Sequence, residues 1–121
     1  AGDVTAPPIE STPLLLAMAR ASVAPNRLSD LLGEAQTVLA ERRDRYHRRY
    51  ERALATDDFE AFFVEDGYWA AFGEERGWNR REYEGVARAH RRQLLHAGKR
   101  VDRRDEFEAA LGLREVVVVG R

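Results

Sequence analysis

The sequence predicts a mainly α-helical single domain of five or six helices around one long amphipathic helix over residues 29–55, with an extended N-terminal arm and one short C-terminal strand. Three observations predict it. Leu28, Leu31, Leu32, Ala35, Val38, Leu39, Tyr46, Tyr50, Ala53 and Leu54 recur at three- and four-residue steps, the spacing of a single helical stripe. A second stripe of Tyr83, Val86, Ala87, His90, Leu94 and Ala97 follows Asn79 and Glu82, which stand as a capping-box pair. The run Glu115-Val-Val-Val-Val-Gly-Arg121 is the one clear strand signal, because β-branched residues on both faces suit a doubly buried strand. With 121 residues, 44% hydrophobic, the chain is long enough to bury a core in one domain. The expected parts are an arm over 1–11, a helical domain over 12–112 and a tail over 113–121.

In order along the chain, Pro7 and Pro8 bias the arm toward extended backbone. Thr12 and Pro13 read as an N-cap and a first helical residue, opening a short apolar helix of Leu14, Leu15, Leu16, Met18 and Ala21 that closes before Pro25. Asn26 or Ser29 is placed to cap the long helix, in which Gly33 marks a close helix contact. Thr56, Asp57 and Asp58 read as the start of another helix, with acids at its positive end and Phe59, Phe62 and Phe63 along it. Asp66-Gly67 breaks that helix, and residues 68–77 form a further short one. The helix over 80–97 stops at Gly98, and Asp102 caps a last helix that Gly112 ends.

Charge and composition exclude several functions. Charged residues make up 34% of the chain, yet the net charge is −1, which argues against crude polyanion binding and against an acidic solvating tail. The distribution is uneven: residues 57–75 carry seven acids and no base, and residues 76–104 carry ten bases against three acids. Pairing of these two segments on one surface is the favoured explanation. All but one of the 20 bases are arginine, a pattern read here as genome base composition. Without cysteine there is no disulfide and no thiol-ligated metal. The apolar run over 14–19 is too short to span a membrane and follows Asp3 and Glu10, so neither a membrane anchor nor a signal peptide is expected, and the cytoplasm is the expected compartment.

No catalytic, cofactor or metal site emerges. His90 and His96 lie about 240° apart on a helix and cannot share a metal; His90, on the apolar stripe, reads as a hydrogen-bonded core residue. Asp44-x-x-His47 resembles one carboxylate–histidine pair of a di-iron bundle, but the required second pair is missing. Ser11, Ser22 and Ser29 sit in no nucleophile elbow, and Gly73 and Gly77 belong to no phosphate loop.

Binding is therefore the expected role: a small helical subunit or adaptor that docks on itself or on a protein partner. Trp69 and Trp78 stand out as candidate anchors among seven aromatics that a short two-helix segment cannot bury together. Arg45 and Arg49 flank Tyr46 and Tyr50, where guanidinium groups can stack on rings and still bind carboxylates. This half of the long helix is expected to meet the acidic 57–75 segment or an acidic partner. Val116, Val117, Val118 and Val119 are expected to pair with the arm, with a second copy or with a partner's sheet, so that deleting residues 115–121 would spare the helices and disrupt assembly. The alternative is nucleic acid. Residues 72–86, with Gly73, a turn at Gly77, then Trp78, Tyr83 and Val86, loosely resemble a helix-turn-helix, which would expose Arg80, Arg81 and Arg88 on a recognition helix, with Arg91 and Arg92 as further contacts. A small enzyme without a recognisable motif is the third reading.

Overall fold

The computed structural model describes residues 23–121. It is an α+β domain: helix α1 (Pro25–Glu41), α2 (Arg43–Arg49), strands β1 (Arg52–Ala55) and β2 (Phe59–Val64), α3 (Tyr68–Arg76), α4 (Arg80–Arg100), α5 (Arg104–Leu111) and β3 (Glu115–Gly120). The strands form one antiparallel sheet in the order β1-β2-β3. This overturns the expectation of a mainly helical domain with a single terminal strand. The arm over 1–11 and the short helix expected from Pro13 lie outside the described residues.

The sheet is covered on both faces. Phe62, Val64, Val117 and Val119 face Leu28, Leu31, Leu32, Ala35 and Leu39 of α1, Tyr46 of α2, Trp69 and Phe72 of α3, and Val86 and Ala89 of α4. Ala53, Phe59, Ala61, Phe63, Val116 and Val118 face Leu94, Leu95 and Ala97 from the second half of α4 and Phe107 and Leu111 of α5. Helix α4 thus serves both layers, because its apolar positions shift sides along its length.

The long helix expected over 29–55 is three elements. Between Leu39 and Tyr46 the apolar stripe lapses, and the helix ends at Arg42 (φ −97°, ψ 6°), whose N–H reaches back to the Val38 and Leu39 carbonyls. A second short helix then sets Tyr46 into the core, and Tyr50 turns extended (φ −125°, ψ 151°) to start the hairpin. The start of α1 is set by Pro25 at its first position, not by a side-chain cap from Asn26 or Ser29. Gly33 meets nothing within 4 Å of an added Cβ, so it marks no close contact.

The helix expected from Asp57 is strand β2. Phe59, Phe62 and Phe63 imitate helical spacing, but Phe59–Val64 pairs with strands on both sides and all six of its residues are buried, as suits a strand covered on both faces. The supposed cap is a hairpin turn: the Thr56 hydroxyl oxygen accepts from the Asp58 N–H at 3.2 Å and the Phe59 N–H at 3.1 Å.

Other signals held. Asn79 and Glu82 form a reciprocal capping box at 2.9 and 2.8 Å. Helix α3 ends in a Schellman turn: Gly77 (φ 75°) follows it, and the Trp78 and Gly77 N–H groups return to the Gly73 and Glu74 carbonyls. Gly98, by contrast, does not stop α4, which runs on to Arg100; a Cβ there would lie 2.6 Å from the Phe107 ring, so the glycine permits α5 to approach. Asp102 sits at φ 58° and does not cap α5, which starts after Arg103.

Strand β3 is paired within the chain along its whole length, from Val64↔Glu115 to Phe59↔Gly120. Its outer edge is covered by side chains. His90 Nδ1 accepts from the Val118 N–H at 2.9 Å, and Gln36 donates to the Val118 carbonyl at 2.7 Å and accepts from the Gly120 N–H at 3.0 Å. Trp69 Nε1 donates to the Val116 carbonyl at 3.0 Å, and the Arg43 guanidinium bonds the Gly120 carbonyl. The tail therefore finds its strand partner in β2 of the same chain, where the sequence predicted the arm, a second copy or a foreign sheet. Unpaired strand groups, each costing about 1–3 kcal/mol if buried, are satisfied by four helices.

Candidate functional site

The sheet places α2 across the start of α3, and a cleft of about 440 Å³ opens between them. Tyr46 lies at its base, fully buried, its ring 5.7 Å from Phe62, 5.8 Å from Tyr50 and 6.3 Å from Tyr68. The Tyr46 and Tyr68 hydroxyls are hydrogen-bonded to each other. Burial, reinforced by that bond, pushes the Tyr46 hydroxyl above its ordinary pKa, so it stays a neutral phenol. Tyr50 donates to Glu65 at 2.9 Å and is likewise raised, by burial and by that carboxylate.

Charges in the cleft divide into committed and uncommitted groups. Arg42 reaches Glu75 at 3.2 Å and lies 5.5 Å from the centre of the Phe72 ring. Glu65 is taken by Tyr50. Arg45 and Arg49, four residues apart and exposed, line the cleft without a hydrogen-bond or ion-pair partner among the described residues. The expected contact of this segment with the acids of 57–75 is thus present through Arg42, Tyr50 and Arg52, and at the cleft it leaves Arg45 and Arg49 over.

On the far side of α2, Glu60 is buried on the sheet with His47 Nε2 at 3.2 Å, Arg52 at 3.1 Å and Arg121 at 3.5 Å. Burial opposes its ionisation, but the Arg52 hydrogen bond and the nearby His47 and Arg121 charges outweigh it and hold the carboxyl below its usual range. His47 borders neither this cleft nor the cavity beside α4. Among the described residues, no group of three or more His, Asp or Glu is disposed to hold a metal ion.

The remaining candidates fall elsewhere. Trp69 and Trp78 are 1% and 6% exposed and anchor the core rather than a surface patch. Val116, Val117, Val118 and Val119 are buried in the core too, and of the four Val116 alone lines the second cavity. The helix-turn-helix spacing is realised locally, since Gly73 admits Tyr83 so closely that a Cβ would lie 2.7 Å from its side chain. The arginine face of α4 is divided, however. Arg80 pairs with Glu84 at 2.6 Å, Arg88 and Arg91 line a second cavity, Arg92 is half-buried with a contact of its own, and Arg81 is exposed. Sequence reasoning missed Gln36 as a structural residue; a glutamine on the apolar face of α1, one step from Ala35, was the available signal.

Residues 7–121 match the family described as a domain of unknown function, DUF8048, and the chain belongs to that family. No curated protein and no solved structure matches it. No helix among the described residues is long and apolar enough to cross a membrane.

Proposed function

We propose that this protein is a non-enzymatic interaction module whose α2–α3 cleft docks an acidic segment of a partner protein. The observation that carries the reading is the pair Arg45 and Arg49, exposed above a tyrosine-lined cleft in which the carboxylates of Glu65 and Glu75 are already taken and Asp66 is the one left beside them. Arginine there offers forked donors for carboxylates, and the Tyr50 and Tyr68 rings offer apolar area beside them. Exposed cations without partners cost little in the free protein and gain most when an anion desolvates them.

The test is a titration with a synthetic peptide alternating glutamate and tyrosine, and with its glutamine analogue. The acidic peptide binds and weakens as salt rises; the glutamine analogue does not bind. Arg45→Glu with Arg49→Glu abolishes binding without changing the circular dichroism spectrum, whereas Arg48→Glu on the same helix has little effect. Equal binding of the two peptides, or indifference to the double reversal, overturns the reading.

One observation favours nucleic acid as a second reading: the tight α3–α4 turn at Gly77 and Gly73, with Arg81 exposed just beyond it. Duplex titration at two salt concentrations decides it, because phosphate contacts make affinity fall steeply with salt.

A further inference from the structure

A second cavity, about 450 Å³, lies between α4, the loop joining α5 to β3, and the corner that leads into α3. That volume is in the range of small-molecule sites. Its apolar wall comes from Trp69, Ala87, Leu111 and Val116, drawn from four different elements. The charges around it are largely spent. Glu115 accepts from the Gly67 N–H at 3.2 Å and the Trp69 N–H at 3.0 Å, closing the start of α3. Arg114 pairs with Glu51 at 3.0 Å and covers the Phe63 ring at 4.3 Å. Arg88 already has a contact of its own.

Two groups remain. Arg91 donates to the Leu111 carbonyl at 3.2 Å, a bond that ties its guanidinium to the rim, and no carboxylate pairs with it among the described residues. Asp66, exposed on the opposite element, likewise has no partner among the described residues.

We infer that this cavity binds a small organic monocarboxylate with an apolar body, its carboxylate held by Arg91 and its body laid against Trp69, Leu111 and Val116. A guanidinium already fixed by one backbone bond loses little freedom when it grips a carboxylate. The wall rewards an aromatic or branched aliphatic body. Asp66 sets the limit, since a second carboxylate on the ligand would meet its charge. The cavity shares Asp66 alone with the α2–α3 cleft, and the inference does not rest on the reading of that cleft.

The experiment is calorimetric titration of the full chain with 3-phenylpropanoate, with 3-phenylpropanamide and with phenylsuccinate, each checked by the shift in melting temperature. The monocarboxylate binds one to one and raises the melting temperature. The amide and the dicarboxylate bind about ten- to a hundredfold more weakly, the worth of a charge-assisted hydrogen bond. Arg91→Gln reproduces that loss with the monocarboxylate while the circular dichroism spectrum is unchanged, and Ala87→Leu, which fills the wall, removes binding of all three. The Arg45→Glu, Arg49→Glu protein binds as the parent does, so failure here and failure of the cleft reading are separately visible. No saturable binding at millimolar ligand, equal affinity for acid and amide, or full affinity in Arg91→Gln overturns the assignment.

Discussion

Acidification from pH 7 to pH 5 is expected to destabilise this protein through His90. The imidazole is fully buried between α4 and the edge of β3, where Nδ1 accepts the Val118 N–H and the ring lies 4.6 Å from Trp69. Burial pushes its pKa down from 6.5 to about 3. The unfolded chain binds a proton as pH falls through 6.5, and the folded chain refuses it until about pH 3. The contribution is therefore complete above pH 6.5 and lost progressively as pH falls, by about 1.4 kcal/mol for each unit. At pH 5 the loss is about 2 kcal/mol, a large share of the roughly 5–15 kcal/mol that a domain of this size commands. Glu60, Glu82 and Glu106, all held below their ordinary 4.5, add their own losses only at lower pH. Urea unfolding at pH 7, 6 and 5 measures the slope. His90→Leu supplies the control: it leaves the Val118 N–H without an acceptor and costs about 1–3 kcal/mol at pH 7, but it removes the titrating group. The gap between the two proteins should then shrink by about 2 kcal/mol at pH 5. Parallel slopes for parent and variant would refute the assignment of acid sensitivity to this histidine.

Three further outcomes follow from packing. Gly33→Ala, in open space on α1, should stabilise by about 0.5–1 kcal/mol in thermal melts. Gly73→Ala, whose Cβ would lie 2.7 Å from Tyr83, should destabilise by about 1–3 kcal/mol in the same assay. Deleting residues 115–121 removes four core valines, the partner of β2 and the carboxylate that closes the start of α3, so cooperative unfolding should disappear from denaturant titrations. A truncated chain with an intact sharp transition would show that the sheet is not needed for the fold.

What could be read from the sequence was whatever local chemistry determines. The capping box at Asn79 and Glu82, the glycine turn after α3 and the β character of Glu115–Gly120 depend on neighbours a few residues away, and each is present. Residues 52–64 were misread for a physical reason. Glu51-Arg-Ala-Leu-Ala55 consists of good helix formers, and Phe59, Phe62 and Phe63 fall at helical steps. Their strand state comes from pairing with residues up to 61 positions away, such as Phe59 with Gly120, an override that no local window contains. Recognising Phe59-Glu-Ala-Phe-Phe-Val64 as a nearly continuous apolar run bounded by turn residues would have supplied a partner for the four valines. The arginine–tyrosine half of the cleft was visible for the opposite reason, since Arg45, Tyr46, Arg49 and Tyr50 lie within one and a half turns of chain. Its other wall, Glu65, Tyr68 and Glu75, follows only once the hairpin folds back.

The same hairpin decides where a partner can dock. A four-valine strand at a sheet edge is a template for association, and its exposed form would make strand addition the default mode of assembly. Here the Gln36 amide, His90 Nδ1 and Trp69 Nε1 bond that edge, each drawn from a different helix. These three would otherwise rank as leading functional candidates, being buried polar or aromatic groups with specific bonds. Once they are assigned to β3, the polar chemistry left for recognition lies in arginines without carboxylate partners. Arg45 and Arg49 sit over the cleft, and Arg91 sits at the rim of the cavity. Neither place uses Val117, Val118 or Val119, because folding consumed most of the adhesive segment of the sequence and left only Val116 at the cavity wall. In the proposed reading, recognition therefore falls to surface that is cheap to leave solvated and selective for anions when it is not.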